Sequence, residues 1–174
     1  SANLVLQANL DIVIGDDMIN SSANDLTLQA GGNITSSGGP FTLQLNGGDF
    51  TAIFNDAGAA NSGGAASFVA NNLKINTFGG KIVIQQGSLG NSFQGGILLT
   101  GTSLNARTLL NVLNGPIELS LNPNNNGQGI KLDNSKIDAG SCILNGIGSD
   151  GIDCNQSVIN ADASIHAIGT AKAN

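Results

Sequence analysis

The sequence predicts an all-β chain folded as one parallel β-helix of about seven coils, each of roughly 22 residues. Three features predict it: short motifs that recur at a fixed offset, apolar residues that alternate with period two, and turn-forming residues between the runs. A unit of this kind exposes one apolar face and cannot fold alone, whereas stacking units at a fixed period closes a continuous core. An antiparallel sandwich also has closely spaced strands, but it has no reason to keep one long period.

Taken in order, Leu4-Val5-Leu6-Gln7-Ala8 recurs as Leu26-Thr27-Leu28-Gln29-Ala30, an offset of 22 that also carries Ile12 onto Ile34. A third relative begins at Phe41-Thr42-Leu43-Gln44-Leu45. Near the other end, the run from Gly129 to Ala139 matches the run from Gly151 to Ala161, again 22 apart. The same template spans Gly96 to Ala106, but its successor lies 33 residues on, and the extra length is assigned to a polar loop insertion at 122–128. Alternation places Leu4, Leu6, Leu26, Leu28, Ile97, Leu99, Leu104, Ile130, Leu132, Ile137, Ile152 and Ile159 inward, with polar residues between them. Gly31-Gly32-Asn33, Gly38-Gly39-Pro40, Asn46-Gly47-Gly48-Asp49, Gly79-Gly80 and Asn114-Gly115-Pro116 supply the bends, so each unit reads as strand, corner, strand, corner. Helical spacing is hardest to dismiss at 107–113, which Gly115 and Pro116 cut short, and this too is read as strand.

Composition limits the function. The 174 residues form one domain, 1–174, with no Trp or Tyr and only 6 Phe, so the core is built from small aliphatic layers. Only 10% of residues are charged, and Asn, Ser, Thr, Gln and 25 Gly supply the polar surface. The net charge of −6, with just 6 unclustered Lys and Arg, makes nucleic acid and anionic membranes poor partners. No stretch approaches the ~18 apolar residues of a membrane span, so no membrane insertion is expected. The opening Ser1-Ala2-Asn3 lacks the basic and apolar regions of a signal peptide, and the sequence is read as a mature product or an excised segment.

Asp11-Ile12-Val13-Ile14-Gly15-Asp16, the run from Ser21 to Ile34 and Gly38-Gly39-Pro40-Phe41-Thr42-Leu43 resemble filamentous-haemagglutinin-type repeats. The resemblance covers the first half well and the second half in general texture. Members of that family are long exoproteins that pass through a partner outer-membrane transporter and form right-handed parallel β-helices. The resemblance therefore implies a right-handed solenoid, secretion to a bacterial cell surface, and an adhesin rod.

Few residues have the chemistry of a site. Cys142 and Cys154 are the only cysteines, and an even count in an exported protein favours a disulfide between them, a reduced buried pair being the alternative. Cys154 takes the inward place that Leu132 holds one unit earlier, while Cys142 aligns with Ser164 at a corner. Asn145 to Asp153 resembles a calcium-binding nonapeptide, but it occurs once and reads as a solvated turn, as does Gly15-Asp16-Asp17. His166 is the only histidine, Arg107 the only arginine and Glu118 the only glutamate; Asp133, Asp153 and Asp162 could share neighbouring coils without a basic partner. No catalytic site, metal or cofactor is expected, and no Thr ladder suggests an ice-binding face. Asn20, Asn33 and Asn155 begin glycosylation sequons, of a kind expected by chance in so Asn-rich a chain.

The expected function is thus a non-enzymatic structural and adhesive segment of a bacterial surface exoprotein. Its partners would be adjoining repeats of a longer rod or further copies of itself, with a host surface or polysaccharide as a possible ligand class. The alternative is a complete subunit of a self-assembling extracellular filament, and a less favoured one is a polysaccharide-acting enzyme. No polar cap is visible at either end: Leu4-Val5-Leu6 enters an apolar strand at once, and the run from Ile165 to Thr170 is followed only by a short tail.

Overall fold

The structure, a computed structural model, describes residues 2–56, 65–88, 95–108, 114–122, 125 and 127–171. Among these the chain is all-β, with no helix, and its strands follow one another in threes. The first three groups are β1 (Leu4–Ala8), β2 (Ile12–Ile14) and β3 (Met18–Ile19); β4 (Leu26–Ala30), β5 (Ile34–Ser36) and β6 (Phe41–Gln44); β7 (Phe50–Phe54), β8 (Phe68–Asn71) and β9 (Leu73–Asn76). Then come β10 (Ile82–Gln86), β11 (Ile97–Thr100) and β12 (Ser103–Asn105), followed by β13 (Pro116–Ser120), β14 (Ile130–Asp133), β15 (Lys136–Gly148), β16 (Ile152–Asn155) and β17 (Val158–Ala171).

Each strand pairs in parallel with the same member of the next group, giving three ladders in a strongly curled sheet. The first ladder runs β1, β4, β7, β10, β13 and then the second halves of β15 and β17. The second runs β2, β5, β8, β11, β14, β16. The third runs β3, β6, β9, β12 and then the first halves of β15 and β17.

The register explains the core. Because paired residues in parallel strands share a face, Leu4, Leu26, Phe50, Ile82, Ile117, Cys142 and Ile165 form one continuous row. Leu6, Leu28, Ala52, Ile84, Leu119, Leu144 and Ala167 form the row beside it. The second ladder adds Ile34, Phe68, Ile97 and Ile130, the third adds Leu43, Ile75, Leu104 and Ile137, and these eight merge with the inner members of both rows in one buried cluster. Ile130 and Ile152 pair directly and lie on one face, as the 22-residue period requires.

Backbone chemistry makes the corners repeat. Between the second and third ladders Gly38, Asn72, Gly101, Asn134 and Gln156 occupy the equivalent place in successive groups, and all five have positive φ. Just past that corner Thr102 and Ser135 are buried and turn their hydroxyls onto backbone carbonyls: Thr102 Oγ1 donates to Ala70 O at 3.1 Å and Ser135 Oγ to Leu99 O at 3.0 Å. Ahead of the first ladder stand Gly48, Gly80, Gly115 and Gly140, where an added Cβ would lie 2.0 to 2.3 Å from the carbonyl oxygen of the group before. Only a residue without a side chain lets successive turns approach at strand spacing.

Five expectations are corrected here. Each group has three strands rather than two; β3, at only two residues, was too short to stand out. Phe41–Gln44 is no relative of Leu26–Ala30 but belongs to the third ladder, and the true partner of Leu26–Ala30 is Phe50–Phe54. Arg107 and Thr108 lie outside any strand, and 109–113 fall outside the described residues. The larger share of the extra length after Gly96 falls between β12 and β13, not in the polar run. Within that run Pro123, Asn124 and Asn126 lie outside the described residues, but Asn125 is fully buried rather than pushed outward.

Candidate functional site

The first group and the last strands form the two edges of the curled sheet, because among the described residues β1, β2 and β3, and likewise β16 and β17, have a strand neighbour on one side only. Rows that are fully buried in the middle are therefore uncovered here. Leu4 is 46% and Leu6 43% exposed, although Leu26 and Leu28, one group on, are buried. At the other edge Ile165 is 51% exposed over a buried Cys142. Between the strands of the first edge an apolar mouth opens, lined by Leu6, Ile12, Ile14, Met18, Leu28 and Leu43.

Side chains tie successive groups together next to these edges. Asn3 Oδ1 accepts from Asp25 N, Asp25 Oδ1 from Asp49 N, and Asp49 Oδ1 from Lys81 N, at 3.1, 2.9 and 2.8 Å. A parallel column precedes the second ladder, where Asp11 Oδ1 accepts from Asn33 N, Asn33 Oδ1 from Ser67 N and Ser67 Oγ from Gly96 N. Asn and Asp also alternate between groups, with Asn155 Nδ2 donating to Asp133 Oδ1 and Asn160 Nδ2 to Asp138 Oδ1, both at 2.8 Å. Pairing an amide with a carboxylate avoids stacking two like charges at strand spacing.

The strongest ionic cluster lies at the corner between the third and first ladders. Asp162, which the sequence left without a basic partner, meets Arg107 at 2.8 Å and also accepts from Asn114 Nδ2. A register shift explains its position. β17 carries one more residue than β15 between Ala139 and Ser141, and such a bulge re-aims a side chain. Close by, Lys136 Nζ lies 2.7 Å from Asp138 Oδ2. Burial pushes the Asp138 carboxyl up, but the hydrogen bonds from Lys136 and Asn160 and the charges of Lys136 and Arg107 outweigh it and hold it below its usual value. The Arg107–Asp162 pair links separate groups of strands, while Lys136 and Asp138 neutralise each other within β15.

The same bulge corrects the placement of Cys142, which pairs with Ile165 instead of Ser164 and points into the core from mid-strand. Cys154 extends the row of Leu99 and Leu132, as expected, but lies exposed at the open edge. Both are free thiols in the structure and lie in different ladders. Burial pushes the Cys142 thiol up to about 11, and burial together with the Asp153 charge raises that of Cys154.

The other singled-out residues do not converge. His166 and Glu118 fall in one outward row of the first ladder, with Ile143 between them. The nonapeptide-like run is divided among the end of β15, a turn in which Ser149 Oγ donates to Asp150, and the start of β16, and no group of three metal-ligating side chains occurs among the described residues. In Gly15-Asp16-Asp17, Asp17 Oδ1 accepts from Thr42 N at 2.7 Å, a tie between groups. Asp153 lines a shallow polar groove with Gln128, Lys131 and Asp150, apart from Asp133. The sequon amides of Asn33 and Asn155 are engaged with Asp11 and Asp133.

Sequence reasoning missed Asn125. Its Nδ2 donates to Ile147 O at 2.6 Å, Gln128 O at 2.9 Å and Gly95 O at 3.2 Å, and its Oδ1 accepts from Gln86 Nε2 at 3.4 Å. Its only sequence signal was a polar run whose apparent destination was solvent. No protein-family model, curated protein or solved structure matches the chain.

Proposed function

We propose that this chain is a right-handed parallel β-helix of about seven coils that serves as a non-enzymatic, structural and adhesive segment of a rod on a bacterial surface. The observation that carries the reading is the pair of uncovered apolar edges: rows buried in the interior continue to Leu4 and Leu6 at one end and to Ile165 at the other. Such edges are stable when more of the same structure covers them, whether adjoining repeats or another copy. The seven in-register positions of the first ladder support the coil count. Handedness, secretion and surface location rest on the resemblance to filamentous-haemagglutinin-type repeats.

The engagement of Asp11, Asp25, Asp49, Asp133, Asp138 and Asp162 in ties between strand groups supports a structural role for the acidic residues. Electron microscopy of purified protein over a concentration series tests the reading, with end-to-end association expected. Dispersed single particles at millimolar concentration, or depolymerisation of a polysaccharide that is abolished by Asp153→Asn, would count against it.

A further inference from the structure

We infer that the polar groove on the outer face of the second ladder is a binding site for one residue of a neutral oligosaccharide, held by Gln128, Lys131, Asp150 and Asp153 around the aliphatic side chain of Leu98. This rests on the adhesive reading above and names the class of ligand. Leu98, Lys131 and Asp153 are successive members of one outward row, because β11, β14 and β16 pair in register there. Gln128 and Asp150 stand at the corner just ahead of β14 and β16, and together these side chains line a groove of about 230 Å³. That is below the roughly 300 Å³ at which pockets begin to enclose a whole drug-sized ligand, and it leaves room for a single sugar ring. The groove lies on the side of the curled sheet, so a strand stacked on β16 would lengthen the row without covering it.

The charges decide the ligand. Lys131 and Asp153 are adjacent in the row, yet the salt bridges among the described residues involve neither of them, nor Asp150. An ammonium donor and two carboxylate acceptors thus face the groove without neutralising one another, Asp150 having only the Ser149 hydroxyl upon it. The two carboxylates repel a phosphate or sulfate, and the ammonium beside them disfavours a divalent cation. A sugar ring suits both signs: its hydroxyls donate to Asp150 and Asp153 and accept from Lys131, while its C–H face lies on Leu98. The frame is fixed in advance. Asn125 Nδ2 donates to Gln128 O at 2.9 Å and to Ile147 O at 2.6 Å, which ties the corner. Ile130 N donates to Gly151 O, and a Cβ added to Gly129 would lie 1.9 Å from that oxygen, so the groove's floor is backbone packed on backbone. A preset frame lowers the ordering cost of binding. The same corner carries three long connections in a row: the first ladder reaches the second through 9–11, 31–33 and 149–151 in three groups, but through 55–67, 87–96 and 121–129 in the consecutive middle groups. Insertions in stacked repeats gather on one face, often the binding face.

Saturation-transfer nuclear magnetic resonance tests this, because it reads the sugar's own protons and serves whether or not the protein is stacked. The probes are maltotriose, cellotriose and the trimer of N-acetylglucosamine. At least one is expected to receive saturation at roughly millimolar affinity, with Lys131→Ala and Asp153→Ala each weakening it about tenfold or more. Lys74→Ala, exposed on the third ladder, should leave it unchanged. No saturation of any of the three sugars, or equal saturation with the Lys131 and Asp153 variants at unchanged circular dichroism, overturns the site but leaves association at the apolar edges standing. Displacement of the sugar by equimolar calcium chloride or sodium phosphate assigns the groove to an ion and overturns it as well. Shortening of a trisaccharide during the measurement, abolished by Asp153→Ala, would instead overturn the non-enzymatic reading and keep the sugar site.

Discussion

Replacing Asn125 with alanine removes a fully buried amide that joins three separate stretches of chain. Its nitrogen carries two hydrogens, so the short contacts to Ile147 O at 2.6 Å and Gln128 O at 2.9 Å are the principal bonds, with Gly95 O sharing at 3.2 Å. Alanine removes the donor from the buried Gly95 carbonyl and from the part-buried carbonyls of Gln128 and Ile147. At about 1–3 kcal/mol for each stranded buried group, the expected loss is about 2 kcal/mol, a sizeable part of a typical domain's stability. Urea unfolding followed by far-ultraviolet circular dichroism measures it. Asn125→Asp should cost more at neutral pH, where a carboxylate would face carbonyl oxygens, and should recover as acid protonates it, because burial raises that carboxyl's pKa. A loss below about 1 kcal/mol for Asn125→Ala, or no acid recovery for Asn125→Asp, would refute the assignment of this residue as an internal tie.

Other predictions follow from the corners, the charges and the thiols. Gly80→Ala, whose Cβ would sit 2.1 Å from Gly48 O, should lower stability by about 2–3 kcal/mol or more, while Gly15→Ala, with nothing within 4 Å, should change it little; equal urea midpoints would contradict the close-packed corner. Asp138 has a carboxyl held below its usual 3.8, so its contribution is complete above that value and is lost as pH falls through the lower folded-state value. Nuclear magnetic resonance should place its midpoint below 3.8, and Asp138→Asn should flatten the acid limb of the stability profile. Alkylation without reductant should label Cys154 in the folded protein and Cys142 only after unfolding, given their exposed and buried positions; no label in urea would establish the disulfide that the sequence suggested.

The repeat was legible where the groups are shortest. The 22-residue offsets put Leu4 on Leu26 and Ile130 on Ile152, and both pairs are in register. It was obscured in the middle because insertions at corners shift the spacing without disturbing the ladders: Phe50 pairs with Ile82 and Ile82 with Ile117 at unequal separations. Local similarity also misled, since Phe41–Gln44 has the texture of β4 but lies in another ladder, an error that period-two patterning cannot detect. The bulge opposite Gly140 was invisible for a related reason: one added residue in β17 shifts the partner of Cys142 from Ser164 to Ile165 and turns Asp162 toward Arg107, and neither change leaves a mark in composition. Alternation placed Leu4 and Leu6 inward with Leu26 and Leu28, but only the pairing shows that the first row lies exposed beside its buried neighbour.

The most direct test of the central claim is the association state of the purified chain over a concentration series, imaged by electron microscopy. The account predicts end-to-end association at the uncovered apolar edges, with parallel strands about 4.8 Å apart running across the junction. A chain that remains as dispersed single particles at millimolar concentration would contradict the claim that its edges are interfaces.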